Sequence, residues 1–171
     1  MGDLTIECFG AGGGTSKYVV EGAPKFIFLA QDFDPNLKDK IIPNRSPIRA
    51  SDANDNAKIY GSFINKVKNS GNGANNPIWQ IEGNTETQIE FPTGSIPKNF
   101  TILSLTRYTG TNKQRILQGL NTNWHHGHRN NGRGQTYYQK WISSSTLNIG
   151  NITDWLCCIG KNSGSTPNNL L

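Results

Sequence analysis

The stretch "NTNWHHGHRNNGRG", residues Asn121 to Gly134, gathers all three histidines of a 171-residue chain beside Trp124, Arg129 and Arg133. Metal binding is the first chemistry such a cluster suggests. His125, His126 and His128 stand at i, i+1 and i+3, so on a strand His126 and His128 share a face while His125 points away. No Cys, Asp or Glu lies within twenty residues of any of the three to complete a ligand shell. Arg129 and Arg133 repel a bound cation. The expectation is no metal and no cofactor. Nucleic-acid binding is the second chemistry: arginines meet phosphates, and Tyr137 and Tyr138 could stack bases, although Trp124, Tyr138 and Trp141 would serve equally as core. Recognition of a glycan by a polar loop is the third, and its candidate residues are Asn121, Asn123, His125, His126, Arg129, Asn130 and Arg133.

Catalysis finds little to work with. Glu82, Glu86 and Glu90 are the clustered carboxylates, and their spacing would line a helix. Ile81, Ile89 and Phe91 alternate with them at period two, so one strand with a solvated acidic face explains both sets. No Ser-His-Asp order sits in a nucleophile-elbow setting. Gly10, Gly12, Gly13 and Gly14 are followed by Thr15-Ser16-Lys17 and then valines, not by the Gly-Lys-Ser/Thr and helix of a phosphate loop.

The elements that must position the histidine stretch follow from composition and periodicity. The length suits one domain, residues 1–171. The hydrophobic share of 34% argues for a folded chain, and abundant Asn and Gly favour turns over helix interiors, so the fold class is all-β. The net charge of +5 is scattered without a basic run. No apolar run reaches membrane-spanning length, and "MGDLTIECFG" has neither the basic start nor the apolar core of a signal peptide. Cys8, Cys157 and Cys158 have no metal spacing; adjacent cysteines on a strand face opposite sides, and a reduced compartment fits them best.

"LTIECF" and "TSKYVV" form a hairpin across the glycines, and "KFIFLA" makes a third strand. Gln31 to Asn76 is mostly loop, with room for one short helix, around the modest apolar stretch "AKIYGSFINKV". Strands follow at "IWQIEG", "TQIEF", "NFTILSLTRY", "QRILQGL", "QTYYQKWI" and "WLCCIG", a spacing that suits an antiparallel β-sandwich or jelly roll.

Residues 77–171 carry an ordered set: Pro97 with Phe100-Thr101, Arg107-Tyr108 with Gly110, Arg115-Ile116 with Gly119, Asn123-Trp124 with Gly127-His128, Tyr138 with Trp141-Ile142, and Trp155. This set resembles the concanavalin A-like, laminin-G-like β-sandwich modules of marine microbial, algal and viral proteins. Residues 1–76 match only vaguely, apart from a weak resemblance of the glycine-rich hairpin to those of phage tail fibres. The resemblance implies a lectin-like core in which Trp124, Tyr138 and Trp141 pack inside, and the histidine stretch becomes an inter-strand loop anchored by a buried tryptophan. Similar modules continue past "NNLL" into closing strands. The sandwich is therefore incomplete at its C-terminus unless another polypeptide or the first 76 residues close it, or the chain is a fragment. The superfamily includes glycoside hydrolases, but their Glu-x-Asp-x-x-Glu strand is absent.

The expected function is thus non-enzymatic: a structural or adhesive protein whose partners are other subunits of an assembly, such as a minor capsid or fibre component of a virion formed in the cytoplasm. A carbohydrate-binding, lectin-like module, with an extracellular surface as its place, is the alternative. Nucleic acid and membrane are disfavoured partners.

Overall fold

The computed structural model describes residues 4–9, 15–20, 25–36, 40–48 and 53–163. It is all-β: the described residues hold no α-helix, only two 3₁₀ turns at Ala30–Asp32 and Ala53–Asp55, and several small antiparallel sheets. No described helix is long and apolar enough to cross a membrane. The chain divides into two compact units, residues 1–70 with 75–95, and residues 71–74 with 96–171.

In the first unit β1 (Leu4–Phe9) and β2 (Thr15–Val20) pair antiparallel, Leu4 opposite Val20 and Phe9 opposite Thr15, as the glycine-linked alternation predicts. The glycines between them lie outside the described residues. β3 (Ile41–Ile42), β4 (Ala57–Tyr60) and β7 (Gln88–Glu90) form a three-stranded sheet with β4 in the middle. β5 (Ile64–Gly71) pairs with β6 (Ala74–Gly83). Phe33, Ile42, Ala57 and Ile59 are the buried centre, with Phe28, Ile64, Ile81 and Ile89 packed against it.

Three expectations change here. "AKIYGSFINKV" is neither loop nor helix but β4 and the start of β5. Ala57 and Ile59 point inward and Lys58 and Tyr60 outward, a strand period interrupted by Gly61, whose φ of 111° only glycine adopts without strain. "KFIFLA" is not a strand: one main-chain bond, from the Arg45 N–H to the Ile27 carbonyl at 2.8 Å, ties it to the neighbouring segment, and a side chain takes the place of further ladder bonds. Asn44 Oδ1 accepts from the Ile27 N–H at 2.9 Å and from the Ser46 N–H at 3.0 Å, and the Asn44 amide donates to the Lys25 carbonyl. The acidic residues do not share one strand: Glu82 is on β6, Glu90 on β7, and Glu86 in the turn closed by the Thr87 N–H on the Asn84 carbonyl.

The second unit is organised by its longest ladder. β8 (Asn99–Thr106) and β14 (Leu156–Ser163) pair antiparallel over eight residues, Asn99 opposite Ser163 and Thr106 opposite Leu156. Phe100 and Ser104 face inward, while Leu103 and Leu105 face outward. The register places Cys158 opposite Ser104 and Cys157 opposite Leu105, so the two cysteines do face opposite sides. Cys157 is disulfide-bonded, against the expectation of reduced cysteines, and Cys158 carries a thiol.

Five short strands fill the space between: β9 (Leu117–Gln118), β10 (Trp124–His126), β11 (His128–Arg129), β12 (Gly132–Arg133) and β13 (Tyr137–Tyr138). β10 is the middle of the sheet β13-β10-β9, and β11 pairs with β12. The expected strands "QRILQGL" and "QTYYQKWI" each shrink to two residues. In the latter, Gln139 turns left-handed at φ 58° and the Tyr138 N–H closes on the Lys140 carbonyl at 2.9 Å, folding the chain back on itself. Leu170 and Leu171 lie outside the described residues.

Candidate functional site

The histidine stretch is strand rather than loop, and its central part is buried. Position in the sheet is the reason: β10 has neighbours on both edges, Trp124 opposite Tyr138, His125 opposite both Tyr137 and Gln118, and His126 opposite Leu117. Both faces of β10 are also covered. On one face the rings of Trp124, His126 and Tyr138 lie nearly parallel, with Trp124 and Tyr138 centroids 5.6 Å apart, and Phe100 meets Tyr138 edge-on at 5.0 Å. On the other face His125 stacks on Tyr137 at 5.8 Å and meets Trp141 edge-on at 5.6 Å. Gly127, at φ 85°, then turns the chain from β10 into β11, and His128 is buried against Tyr108.

Each histidine is neutral for an identifiable cause. His126 Nε2 lies 3.2 Å from the Cys158 carbonyl, which can only accept, so Nε2 carries the proton and Nδ1 accepts from the Tyr138 hydroxyl at 2.7 Å. Burial lowers its pKa to about 4 against the help of that carbonyl. Burial does the same to His128, with Arg133 and His126 adding repulsion, and to His125, with Arg115, Arg129 and His126 adding repulsion. His128 Nδ1 has the Thr106 hydroxyl at 3.2 Å, while its Nε2 and both ring nitrogens of His125 have no hydrogen-bond partner among the described residues.

Two catalytic or ligating arrangements can be tested on this geometry. Cys158 Sγ lies 3.9 Å from His126 Nδ1, near enough to suggest a thiol–imidazole pair. Burial pushes the thiol up and the imidazole down, which opposes ion-pair formation, and the Nδ1 lone pair is already engaged by Tyr138. The pair is thus held as neutral thiol and neutral imidazole. Among the described residues no three of His, Cys, Asp or Glu converge as a metal shell.

The seven candidate binding residues separate into two groups. His125, His126 and Arg133 belong to the interior. Arg133 is buried and donates to the carbonyls of Ile149 and Trp155, the latter at 2.8 Å, bracing the segment before β14. Asn121 is exposed in the turn before β10, and Asn123 accepts from Arg115 Nη2 at 2.9 Å. Arg129 and Asn130 line a groove of about 370 Å³ with Gln114, Arg115 and Gln118, and His125 is enclosed nearby under the influence of Arg115 and Arg129. The last three lining residues escaped the sequence reading. Their signal was the tight turn "GLNTN", which folds the "KQRILQ" segment back beside His125, as the Gln118–His125 pairing realises.

The aromatics expected to pack inside divide as well. Trp124, 3% exposed, and Tyr138 are core. Trp141 is not: it is 41% exposed, because β13 ends at Tyr138 and the chain bends outward before it. Its ring carries the Arg129 guanidinium at 5.5 Å. No protein-family model matches the chain, and no curated protein or solved structure does either.

Proposed function

We propose that the chain is a non-enzymatic structural or adhesive protein, a β-sandwich of the concanavalin A-like, jelly-roll kind that works within a larger assembly such as a virion. The observation that supports this reading is the outer face of the β8–β14 ladder. Leu103 and Leu105 stand 42% and 48% exposed there, with Ile159 opposite Leu103. Among the described residues each of these two strands ladders only with the other, so the apolar strip belongs to a two-stranded sheet with no third strand on either edge. Such an edge accepts a strand from a neighbour through main-chain hydrogen bonds, and the leucines supply the apolar contact. The buried, neutral histidines and the protonated Cys158 thiol agree with a role that needs no reacting group.

Sedimentation of the purified chain at tens of micromolar tests the reading. Self-association or co-assembly that is lost in the Leu103→Lys, Leu105→Lys double variant, with unfolding midpoints unchanged, is the expected result. A monomer that takes up no subunit and behaves identically with and without the two lysines would refute it.

A further inference from the structure

The groove beside β10 has a uniform chemistry: two guanidiniums, Arg115 and Arg129, and three carboxamides, Gln114, Gln118 and Asn130. It has no carboxylate and no aliphatic wall. Among the described residues the ion pair joins Arg45 to Asp32, and neither Arg115 nor Arg129 meets an acid. Their contacts are Asn123 Oδ1 for Arg115 and the Trp141 ring for Arg129. Both contacts orient a planar fork and leave its charge uncompensated. That charge is felt by the enclosed His125, where the two arginines add to burial in disfavouring a proton.

The groove is also held in shape. Antiparallel pairing of β9 with β10 fixes the Gln118 side, and the hairpin β11–β12 presents Arg129 and Asn130. Asn130 and Asn131 turn that hairpin in left-handed conformations, φ 45° and 63°, which asparagine tolerates. The Asn131 N–H then donates to the Lys113 carbonyl at 2.8 Å, tying the hairpin tip to the segment that carries Gln114 and Arg115. Like charges held on one rigid cleft repel each other until an anion enters, and a fixed fork binds a carboxylate or sulfate through paired hydrogen bonds.

We propose that this groove binds an anionic saccharide: a sugar unit whose carboxylate or sulfate is held by Arg115 and Arg129 and whose hydroxyls are met by the amides of Gln114, Gln118 and Asn130. The volume, at the low end of the range for small-ligand sites, fits one or two sugar units. Carboxamides suit hydroxyl groups, which both donate and accept. Nucleic acid fits less well, because base stacking needs a free aromatic face and Arg129 lies over the ring of Trp141, the exposed aromatic beside the groove. The site is independent of the assembly role proposed above.

Calorimetric titration of the intact chain at low salt tests it, with digalacturonate as the carboxylated probe and a heparin-derived disaccharide as the sulfated one. Cellobiose, inorganic sulfate and an oligothymidylate serve as comparisons. One of the two acidic disaccharides should bind and cellobiose should not. Arg115→Gln or Arg129→Gln should weaken binding about tenfold or more, with the unfolding midpoint retained. Arg129→Lys, which keeps charge without the fork, should fall between. On binding, the His125 ring resonances should shift and its titration should move upward as the anion offsets the two guanidiniums. Equal binding of cellobiose, binding of inorganic sulfate as tight as that of the sugars, tighter binding of the oligothymidylate, or no binding of either acidic disaccharide would each overturn the proposal. So would variants that bind as the parent does.

Discussion

The Tyr138 hydroxyl donates to His126 Nδ1 at 2.7 Å in the interior of the second unit, and the opposite ring nitrogen of His126 donates to the Cys158 carbonyl. One phenol and one imidazole thereby join β13, β10 and β14. Tyr138→Phe keeps the ring contacts with Phe100 and Trp124 and deletes only the donor. It should destabilise the chain by about 1–3 kcal/mol, the cost of an unsatisfied buried acceptor, in denaturant unfolding at pH 7.5. An unchanged midpoint would mean that another donor, such as the Cys158 thiol, replaces the phenol.

Acid should unfold the second unit earlier than a histidine-poor fold. The three rings have folded pKa values lowered to about 4, against an ordinary value of 6.5. Between those values the unfolded chain binds more protons, so stability is complete above pH 6.5 and declines as pH falls toward 4. For His126 and His128 the loss is on the order of 3 kcal/mol each. Unfolding free energies measured from pH 7.5 to 4.5 should show this slope, and His128→Gln should flatten it. A flat profile over that window would show that the rings are not buried as neutral species.

Gly160→Ala should be among the costliest small substitutions. A methyl group on Gly160 would overlap the Tyr138 hydroxyl and crowd His126 Cε1, neither of which is the end of a flexible chain. Overpacking of this kind costs about 1–3 kcal/mol. Removing the hydroxyl makes room, so the double variant with Tyr138→Phe should be less damaged than the sum of the two, by about 1 kcal/mol in a double-mutant cycle. Additivity would show that the strand shifts instead.

Trp124→Ala and Trp141→Ala should differ sharply. The first empties a core position and should cost about 3–5 kcal/mol. The second removes edge contacts with His125 and Tyr137 from a half-exposed ring and should cost about 1 kcal/mol. Thermal melts of the two variants separate these values.

The legible parts of the fold were those where period two survives over several residues. β1 and β2, the inward Phe100 and Ser104 of β8, and the opposed faces of Cys157 and Cys158 all follow from alternation. β4 was missed because Gly61 breaks the pattern after four residues, and "KFIFLA" was over-read because nothing local announces that Asn44 will occupy its main-chain groups. The histidines were the hardest. A polar strand buried on both faces has no alternation, and Arg129, Asn130 and Asn131 beside it look like a solvated loop. Their burial is decided by Tyr137 and Tyr138, which arrive across a sheet whose register no local pattern encodes. Arg129 and Asn130 were legible as polar groups of one turn, whereas Arg115 becomes their neighbour through the fold.

The order in which the ribosome delivers the second unit sets a timetable. β8 emerges early, but its partner β14 follows only after about fifty further residues, and the ladder closes that whole loop. Closing long loops delays folding, while two-residue hairpins such as β11–β12 form from local chain alone. Until β14 docks, His126 has no Cys158 carbonyl, its ring stands in water and it takes up protons at the ordinary imidazole pKa. Docking of β14 is then the step that strips the proton, so maturation in an acidic milieu should be slower than at neutral pH even where the finished fold persists.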